Sequence, residues 1–524
     1  MNISFILEKA LNLHPEKESI LCGDVRLTYR SFAGRVFALA RFLRSLGLTE
    51  GDRIAILHNN GHEYLETYFA AAWSGMVLTP LNFRLSPRET AFILQDAGAR
   101  ILIAAPRFRE PVSVLHELNV PLERVLWTGG GKIGCPYPSA VYEDIVRSGP
   151  SSPPAPATSK DDDIAHLYYT SGTTGLPKGV MLSHKNVCSH ALCAIAELGL
   201  RDTDRWIHVA PMFHLADAWA AFAVTWVGGC HVVVPEFDTR EVLSAMERDR
   251  VTITNMVPTM LNLLVNDPAV GSYELTTLRA IMSGGAPIAP ELVRKIMDTF
   301  KCDYIQTYGM TETSPYLTLS LLKKHLLDLP DHERFVFKAK TGRPFIGVLL
   351  KVVREDGSEV VPDDFEVGEI LVQGDTVTPG YWNRSEETAK TFQGEWLRTG
   401  DLATVDAEGY VNIVDRKKDM IITGGENVYS VEVENVLYTH PSVLEAAVVG
   451  VSDPRWGERV SAAVVLKPGM NACERELMEH CRKRIAHYKV PKSILFADAL
   501  PKTGSGKIYK KGIREMLLSG VPED

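Results

Sequence analysis

No two cysteines in this chain form a CxxC pair. The eight present lie scattered at positions 22, 135, 188, 193, 230, 302, 473 and 481, which argues against a zinc ribbon or a thioredoxin-like redox site. Cys188, His190 and Cys193 are close, but no second ligand pair at zinc-finger spacing follows. Buried or idle thiols in a reducing compartment are the expectation. An excess of positive charge is missing too. The 56 Lys+Arg against 65 Asp+Glu leave a net charge of −9, the wrong field for a nucleic-acid binder. The first residues lack the basic-then-apolar pattern of a secretory leader. No apolar run reaches the roughly 20 residues of a membrane span; the most apolar stretch, 218–235, is interrupted by Gly228, Gly229 and His231. Repeats and low-complexity tracts are absent from the sequence. With 45% hydrophobic and 23% charged residues among 524, the composition is that of an ordinary globular protein, expected to be soluble and cytoplasmic.

The patterning that is present alternates strands with helices. A turn and strand at 51–57, an amphipathic helix at 62–73, an apolar segment at 76–80, a helix at 86–96 and a strand at 99–105 indicate βαβ units and a parallel sheet. A Pro/Ser-rich connector follows at 148–157. Alternation resumes to about 345, through strand patterns at 230–234, 251–254 and 280–283. From Val348 short strands and turns predict a small β-rich unit, and after Asp415 about 110 residues of β/α pattern suffice for a small separate domain. The expected fold is therefore α/β. It has a large N-terminal domain of parallel sheets plus the β-rich unit, residues 1–415, and a small α/β C-terminal domain, residues 416–524.

Tyr168-Tyr-Thr-Ser-Gly-Thr-Thr-Gly-Leu-Pro-Lys-Gly179 follows a strand-like run. Its glycines free the backbone to wrap an anion, its hydroxyls and amides can hold phosphate oxygens, and Lys178 adds a point charge. A Walker A loop needs GxxxxGK[ST] leading into a helix. Here Pro177 precedes the lysine and Gly179 follows it, so this is a different phosphate loop. Downstream come Ser283-Gly-Gly-Ala-Pro287, Gln306-Thr-Tyr-Gly-Met-Thr-Glu312, Trp396-Leu-Arg-Thr-Gly-Asp401, a charged segment from Asp415 to Tyr429, and Pro501-Lys-Thr-Gly-Ser-Gly-Lys507. A tyrosine offers a π-face to a base, and Glu312 offers a hard oxygen ligand to Mg²⁺. Asp401 suits two adjacent ribose hydroxyls.

In this order the motifs resemble the adenylate-forming superfamily over essentially the whole chain. That superfamily comprises acyl-CoA synthetases, firefly luciferase and the adenylation domains of peptide synthetases; the closest look is to bacterial fatty acyl-CoA ligases. The resemblance implies ATP, Mg²⁺ and CoA as partners, together with a small-molecule carboxylic acid. It implies nucleotide contacts from Thr170, Ser171, Gly172, Thr173, Thr174, Gly175, Lys178, Gly284, Gly285, Ala286, Thr307, Tyr308, Gly309, Thr311, Asp401, Arg416 and Lys507. Tyr308 packs on adenine, Thr311 touches the α-phosphate, and Glu312 with Thr170 serves the metal. Lys418 is the pivot of a mobile C-terminal domain. Gly424 and Gly425 let a pantetheine arm pass, and Lys507 reaches the carboxylate and α-phosphate. Family members are often dimers, so a homodimer is implied on that ground alone.

On the substrate side, Pro211-Met-Phe-His-Leu215 matches the family motif whose histidine sits at the mouth of the acyl pocket. His214, Thr311 and Lys507 are thus the implied catalytic residues. Trp219, with Phe222 and Val224, either lines an apolar tunnel or packs a helix core. Amino-acid-activating relatives place an aspartate near here for the α-ammonium; Asp217 is off-register for that task. The reading is an AMP-forming acid–CoA ligase acting on a medium- to long-chain fatty acid. The alternatives are an aryl or other small acid, or a stand-alone adenylating enzyme that loads a carrier protein.

Overall fold

The computed structural model describes residues 1–147, 153–171, 176–502 and 508–519. By compactness the chain divides into one unit of 1–349 with 372–397 and another of 350–371 with 398–524. The sequence reading ends its first domain at 415. The compact division instead groups 350–371 and 398–415 with the C-terminal residues.

The first unit contains two large sheets. A nine-stranded sheet runs Arg343–Pro344, Tyr316–Leu319, Asp303–Gly309, Ala280–Gly284, Ile253–Met256, Arg205–His208, Cys230–Val233, Glu18–Cys22, Val25–Thr28. Its inner strands are parallel and its outer ones antiparallel. A seven-stranded sheet runs Ser139–Val141, Arg124–Trp127, Ala99–Ala104, Arg53–Leu57, Val77–Pro80, Ile164–Ser171, Pro177–Ser183. Inner parallel strands are covered on both faces and so read as continuous apolar runs: Val77–Pro80, Cys230–Val233 and Ile253–Met256 are buried at every position. Their cores are rich in Val, Ile and Leu. The expected helices form where their local signals stand. Pro87–Ala97 opens on a Ser86–Glu89 capping box and closes on left-handed Gly98. His62–Ser74 ends likewise at Gly75.

Val348–Val353, Gly368–Gly374, Trp396–Val405 and Phe392–Gln393 make a smaller sheet, with Val411–Arg416 paired to Trp396–Val405. In the second unit Glu426–Val428, Ile421–Thr423, Gly457–Leu466 and Val443–Asp453 form a further sheet, with Ser493–Phe496 beside Gly457–Leu466. Alternate residues of Val443–Asp453 face opposite sides: Ala446 and Val448 enter one core, Ala447 and Val449 another. All eight cysteines are free, and Cys188, Cys230, Cys302 and Cys481 are buried. Among the described residues no helix is long and apolar enough to cross a membrane.

Candidate active site

The phosphate loop sits in a hairpin. Ile164–Ser171 pairs antiparallel with Pro177–Ser183, with Thr170 opposite Lys178. A strand, not a helix, therefore follows the loop, which is the structural counterpart of its departure from Walker A. Gly172, Thr173, Thr174 and Gly175 lie outside the described residues, as does Lys507. Lys178 is ion-paired with Glu387, and its ammonium stands 5.4 Å from the centre of the Tyr381 ring. Tyr381 in turn donates its hydroxyl to Glu312 Oε1 at 2.8 Å, and the Thr378 N–H donates to the Glu312 carbonyl at 2.8 Å. The segment around Tyr381 thus brings Lys178 and Glu312 to one place. Burial and the adjoining carboxylate push the Tyr381 phenol far above its ordinary pKa, so it stays a donor. Sequence reasoning missed Tyr381, which stands 69 positions from Glu312; no spacing signal marks it.

The adenine motifs end two neighbouring parallel strands. Gly284 is in register with Thr307, and Thr307 Oγ1 donates to the Ser283 carbonyl at 3.0 Å. A Cβ on Gly284 would strike Thr307, and one on Gly309 would strike the Pro315 carbonyl. Both glycines are thus required by close backbone approach. Gly285 has φ +82°, and Gly285 and Ala286 are exposed while Tyr308 is half-buried. Gln306 Nε2 donates to the Ala286 carbonyl at 2.9 Å, fixing the loop. Thr311 and Glu312 fall in the 3-10 turn Thr311–Thr313. Ligand entry at the carboxyl ends of parallel strands is the general rule for such sheets.

His214 caps the helix Leu215–Val227 and is half-buried, its ring 4.4 Å from that of Phe213. The loop before it is pinned from behind. Asn60 Oδ1 accepts from Met212 N at 2.8 Å, and Asn60 Nδ2 donates to the Ala210 carbonyl at 3.0 Å. Tyr68 donates to the Met212 carbonyl at 2.9 Å and lies 2.7 Å from the Tyr168 hydroxyl. Hence the phosphate-loop strand and the histidine loop share one tyrosine. Neither Asn60 nor Tyr68 announces itself in sequence. Trp219 is sealed in, its ring 5.0 Å from Trp206, 5.2 Å from Tyr316 and 5.4 Å from His190. His190 also stacks on Phe345 at 5.2 Å. Burial pushes the His190 imidazole down to about 3, so it is a neutral packing element. Phe222 and Val224 are buried too, Phe222 against Tyr68, Phe69 and His166; they serve the helix core. Asp217 is fully buried with both oxygens accepting, from Trp206 and from His208. It offers nothing to an ammonium.

In the second unit Asp401 and Arg416 are cross-strand partners, with Arg416 Nε 3.3 Å from Asp401 Oδ1. Lys418 is exposed in the turn that follows, closed by Asp419 N and Met420 N on the Arg416 carbonyl. Gly424 and Gly425 form the tip between Ile421–Thr423 and Glu426–Val428, with φ +62° and +88°. Two left-handed residues are what a tight hairpin of this twist demands, so the pair already has a structural reason to be glycine.

Among the described residues no group of three or more His, Cys, Asp or Glu could hold a metal. Mg²⁺ bound with a nucleotide needs no such cage. It takes one or two carboxylates plus phosphate oxygens, a donor set that Glu312 fits.

A family model described as AMP-binding enzyme matches residues 7–382, and one for the AMP-binding enzyme C-terminal domain matches 432–507. The chain is 39% identical to a feruloyl-CoA synthase of Amycolatopsis over 96% of each sequence. It is 33% identical to the long-chain-fatty-acid–CoA ligase FadD13 of Mycobacterium tuberculosis over the full length of both. The crystal structure of the anthranilate CoA ligase AuaEII with anthranoyl-AMP superposes with a TM-score of 0.89 at 30% identity, covering 99% of this chain and 98% of that one. The chain therefore belongs to the AMP-binding enzyme family, in its branch of AMP-forming acyl-CoA synthetases.

Proposed function

We propose that this acid–CoA ligase activates a compact aromatic carboxylic acid. The observation that supports the reading is the ring cluster on the helix that His214 begins: Trp219 packs against Trp206, Tyr316 and His190, and His190 against Tyr316 and Phe345. Rings in the helix that follows the substrate motif suit a planar acid that stacks or meets them edge-on. Similarity to a feruloyl-CoA synthase supports it. The second reading, a medium- to long-chain fatty acid, is favoured by the full-length similarity to FadD13. A cytoplasmic setting accords with the eight free thiols.

A carboxylate oxygen attacks the α-phosphorus of ATP and pyrophosphate leaves. The CoA thiolate then attacks the carbonyl carbon of the acyl-adenylate and AMP leaves. The protein contributes position and charge rather than a nucleophile. Tyr308 takes the adenine against Gly284, Gly285 and Ala286; Asp401 and Arg416 take the ribose. Lys178 and the loop from Thr170 hold phosphate oxygens, with Thr311 at the α-phosphate. Glu312 holds Mg²⁺, which neutralises phosphate charge when bound. Lys507 serves adenylation, Gly424 and Gly425 the pantetheine arm, and Lys418 the exchange between the two half-reactions.

The test is kcat/KM for saturated acids of two to sixteen carbons beside benzoate and hydroxylated cinnamates, followed as CoA-dependent AMP release and as pyrophosphate exchange without CoA. An aryl acid should exceed every straight chain by about tenfold or more. A ladder that instead climbs about fourfold per carbon, the value of one buried methylene, replaces the aryl reading with the fatty-acid one. AMP release that ignores CoA but responds to a carrier protein replaces the acceptor.

A further inference from the structure

Behind His214 runs a polar chain that no step of the reaction uses. Trp206 Nε1 donates to Asp217 Oδ1 at 3.1 Å, and His208 Nδ1 lies 2.7 Å from Asp217 Oδ2. His208 Nε2 is 2.9 Å from His231 Nδ1, and His231 Nε2 is 2.9 Å from Thr225 Oγ1. All five side chains are 0% exposed. A carboxylate only accepts, so His208 carries its proton on Nδ1. With a neutral His208 ring, its Nε2 accepts from His231 Nδ1–H, and His231 Nε2 accepts the Thr225 hydroxyl proton. Each donor and acceptor along this wire is used.

Polar groups in such a core are costly unless satisfied, and breaking a satisfied network is costlier than never having built it. Apolar residues would fill the volume without that risk, so the wire calls for a purpose. Its anchor points show one. Asp217 and Thr225 lie eight residues apart on the helix Leu215–Val227. Trp206 and His208 stand on the strand Arg205–His208, and His231 on its parallel neighbour, in register with Trp206. The wire therefore ties the helix to two strands at two levels, and resists both sliding and rotation. Its near end holds the Trp206 indole, which packs edge-on against Trp219 at 5.0 Å and 77°. The same helix starts at His214.

We propose that Asp217 is a positioning residue for the acyl site: by fixing Trp206 and the first turn of the helix, it places Trp219 and His214 and so sets which acids fit. The inference rests on the reading that Trp219 walls that site. Asp217→Ala should raise the KM for the preferred acid about tenfold, the scale of a lost buried hydrogen bond to a charged group. The KM for ATP should stay within about twofold, and discrimination between narrow and broad acids should narrow. Asp217→Asn should recover most of that loss. Its oxygen still accepts from Trp206, and its amide can donate to His208 Nδ1 if every proton along the wire reverses, ending with His231 Nε2–H donating to Thr225. Trp206→Phe, which deletes one N–H and keeps a ring against Trp219, should raise the acid KM about threefold.

A general loss of folding would not separate the two substrates in this way. The proposal is overturned if the KM values for acid and ATP rise together, if neither moves, or if Asn is as damaging as Ala. Should Asp217→Ala fail to fold, Trp206→Phe decides alone: an unchanged acid KM refutes the positioning role. These are ratios of variant to wild type for whichever acid is preferred, so they fail separately from the choice between aryl and fatty acids.

Discussion

Gly285 and Ala286 lie open at the end of one parallel strand, while Trp219, Tyr316 and His190 are sealed within the same unit. The nucleotide side is made of backbone. Its glycines let strands approach, and a change of side chain there meets main chain. On the proposed reading the acyl side is made of side chains drawn from the helices His184–Leu198 and Leu215–Val227, the strands Arg205–His208 and Tyr316–Leu319, and the segment at Phe345. One surface serves a ligand that never changes, the other a ligand that differs among relatives. A backbone-built site tolerates little, whereas a ring-built one can be retuned by exchanging rings.

The strongest break between the two sides should come from Lys507→Ala. Loss of a cation that acts on transition-state charge typically costs about 10²–10³ in rate. The loss should fall on adenylation, with thioester formation from supplied acyl-AMP spared and the ranking of acids unchanged. Equal damage to both half-reactions in a single-turnover assay would remove Lys507 from that role. Next in size, Gly309→Ala forces a methyl against the Pro315 carbonyl beside the Thr311–Thr313 turn, an overpacking worth about 1–3 kcal/mol. The KM for ATP should rise and the melting temperature fall, again with the acid ranking intact. Trp219→Phe should do the reverse, reordering the acids and leaving the ATP constant alone. A reordering of acids by Gly309→Ala would merge the two sides into one.

Tyr381→Phe removes the hydroxyl that orients Glu312. Outer partners of a metal-binding carboxylate are worth roughly tenfold in metal affinity, so half-maximal activity should need about tenfold more Mg²⁺, at unchanged protein melting temperature. A Mg²⁺ titration that superposes on wild type makes the contact structural. A separate effect is expected on stability against pH, and it belongs to the sealed side. Burial depresses His166 and His190 to about 3, from about 6.5 in the unfolded chain. Between those values the unfolded chain binds more protons, so stability rises with pH and is lost as pH falls below about 6.5. The slope is about 1.4 kcal/mol per pH unit for each such histidine. His190→Gln should flatten melting temperatures measured between pH 5 and 7.5; an unchanged slope would mean that this ring does not titrate on unfolding.

The same contrast explains what could be read in advance. Each nucleotide motif is contiguous, because a backbone loop is a run of neighbours, and Thr170, Gly284, Tyr308 and Glu312 stand out for that reason. The helices and strands of the first unit were legible from apolar runs and from the alternation of strand and helix patterns. The acyl wall joins residues 190, 206, 219, 316 and 345, which share no spacing, and Trp219 reads equally as core or as tunnel until its neighbours are known. Asp217 looks like a stray acid near a substrate motif until its two oxygens are seen to be taken. Tyr381 and Asn60 act across long stretches of chain with no local mark. The change of pattern at Val348 was legible, but the compact divisions at 371/372 and 397/398 are silent in sequence, because Gly368–Gly374 runs past the first and Trp396–Val405 past the second.

An acyl-adenylate is an indiscriminate electrophile, and an enzyme that makes one is itself rich in potential acceptors. The desolvated thiols bear on that hazard. Desolvation pushes Cys188, Cys230 and Cys302 up to about 12, and Cys22 and Cys481 to about 11. Since the thiolate and not the thiol is the nucleophile, these five sulfurs are chemically silent at neutral pH. CoA, whose thiol is under no such constraint, meets no competition from them. At these five positions self-acylation is disfavoured by the same apolar packing that holds the sheets together.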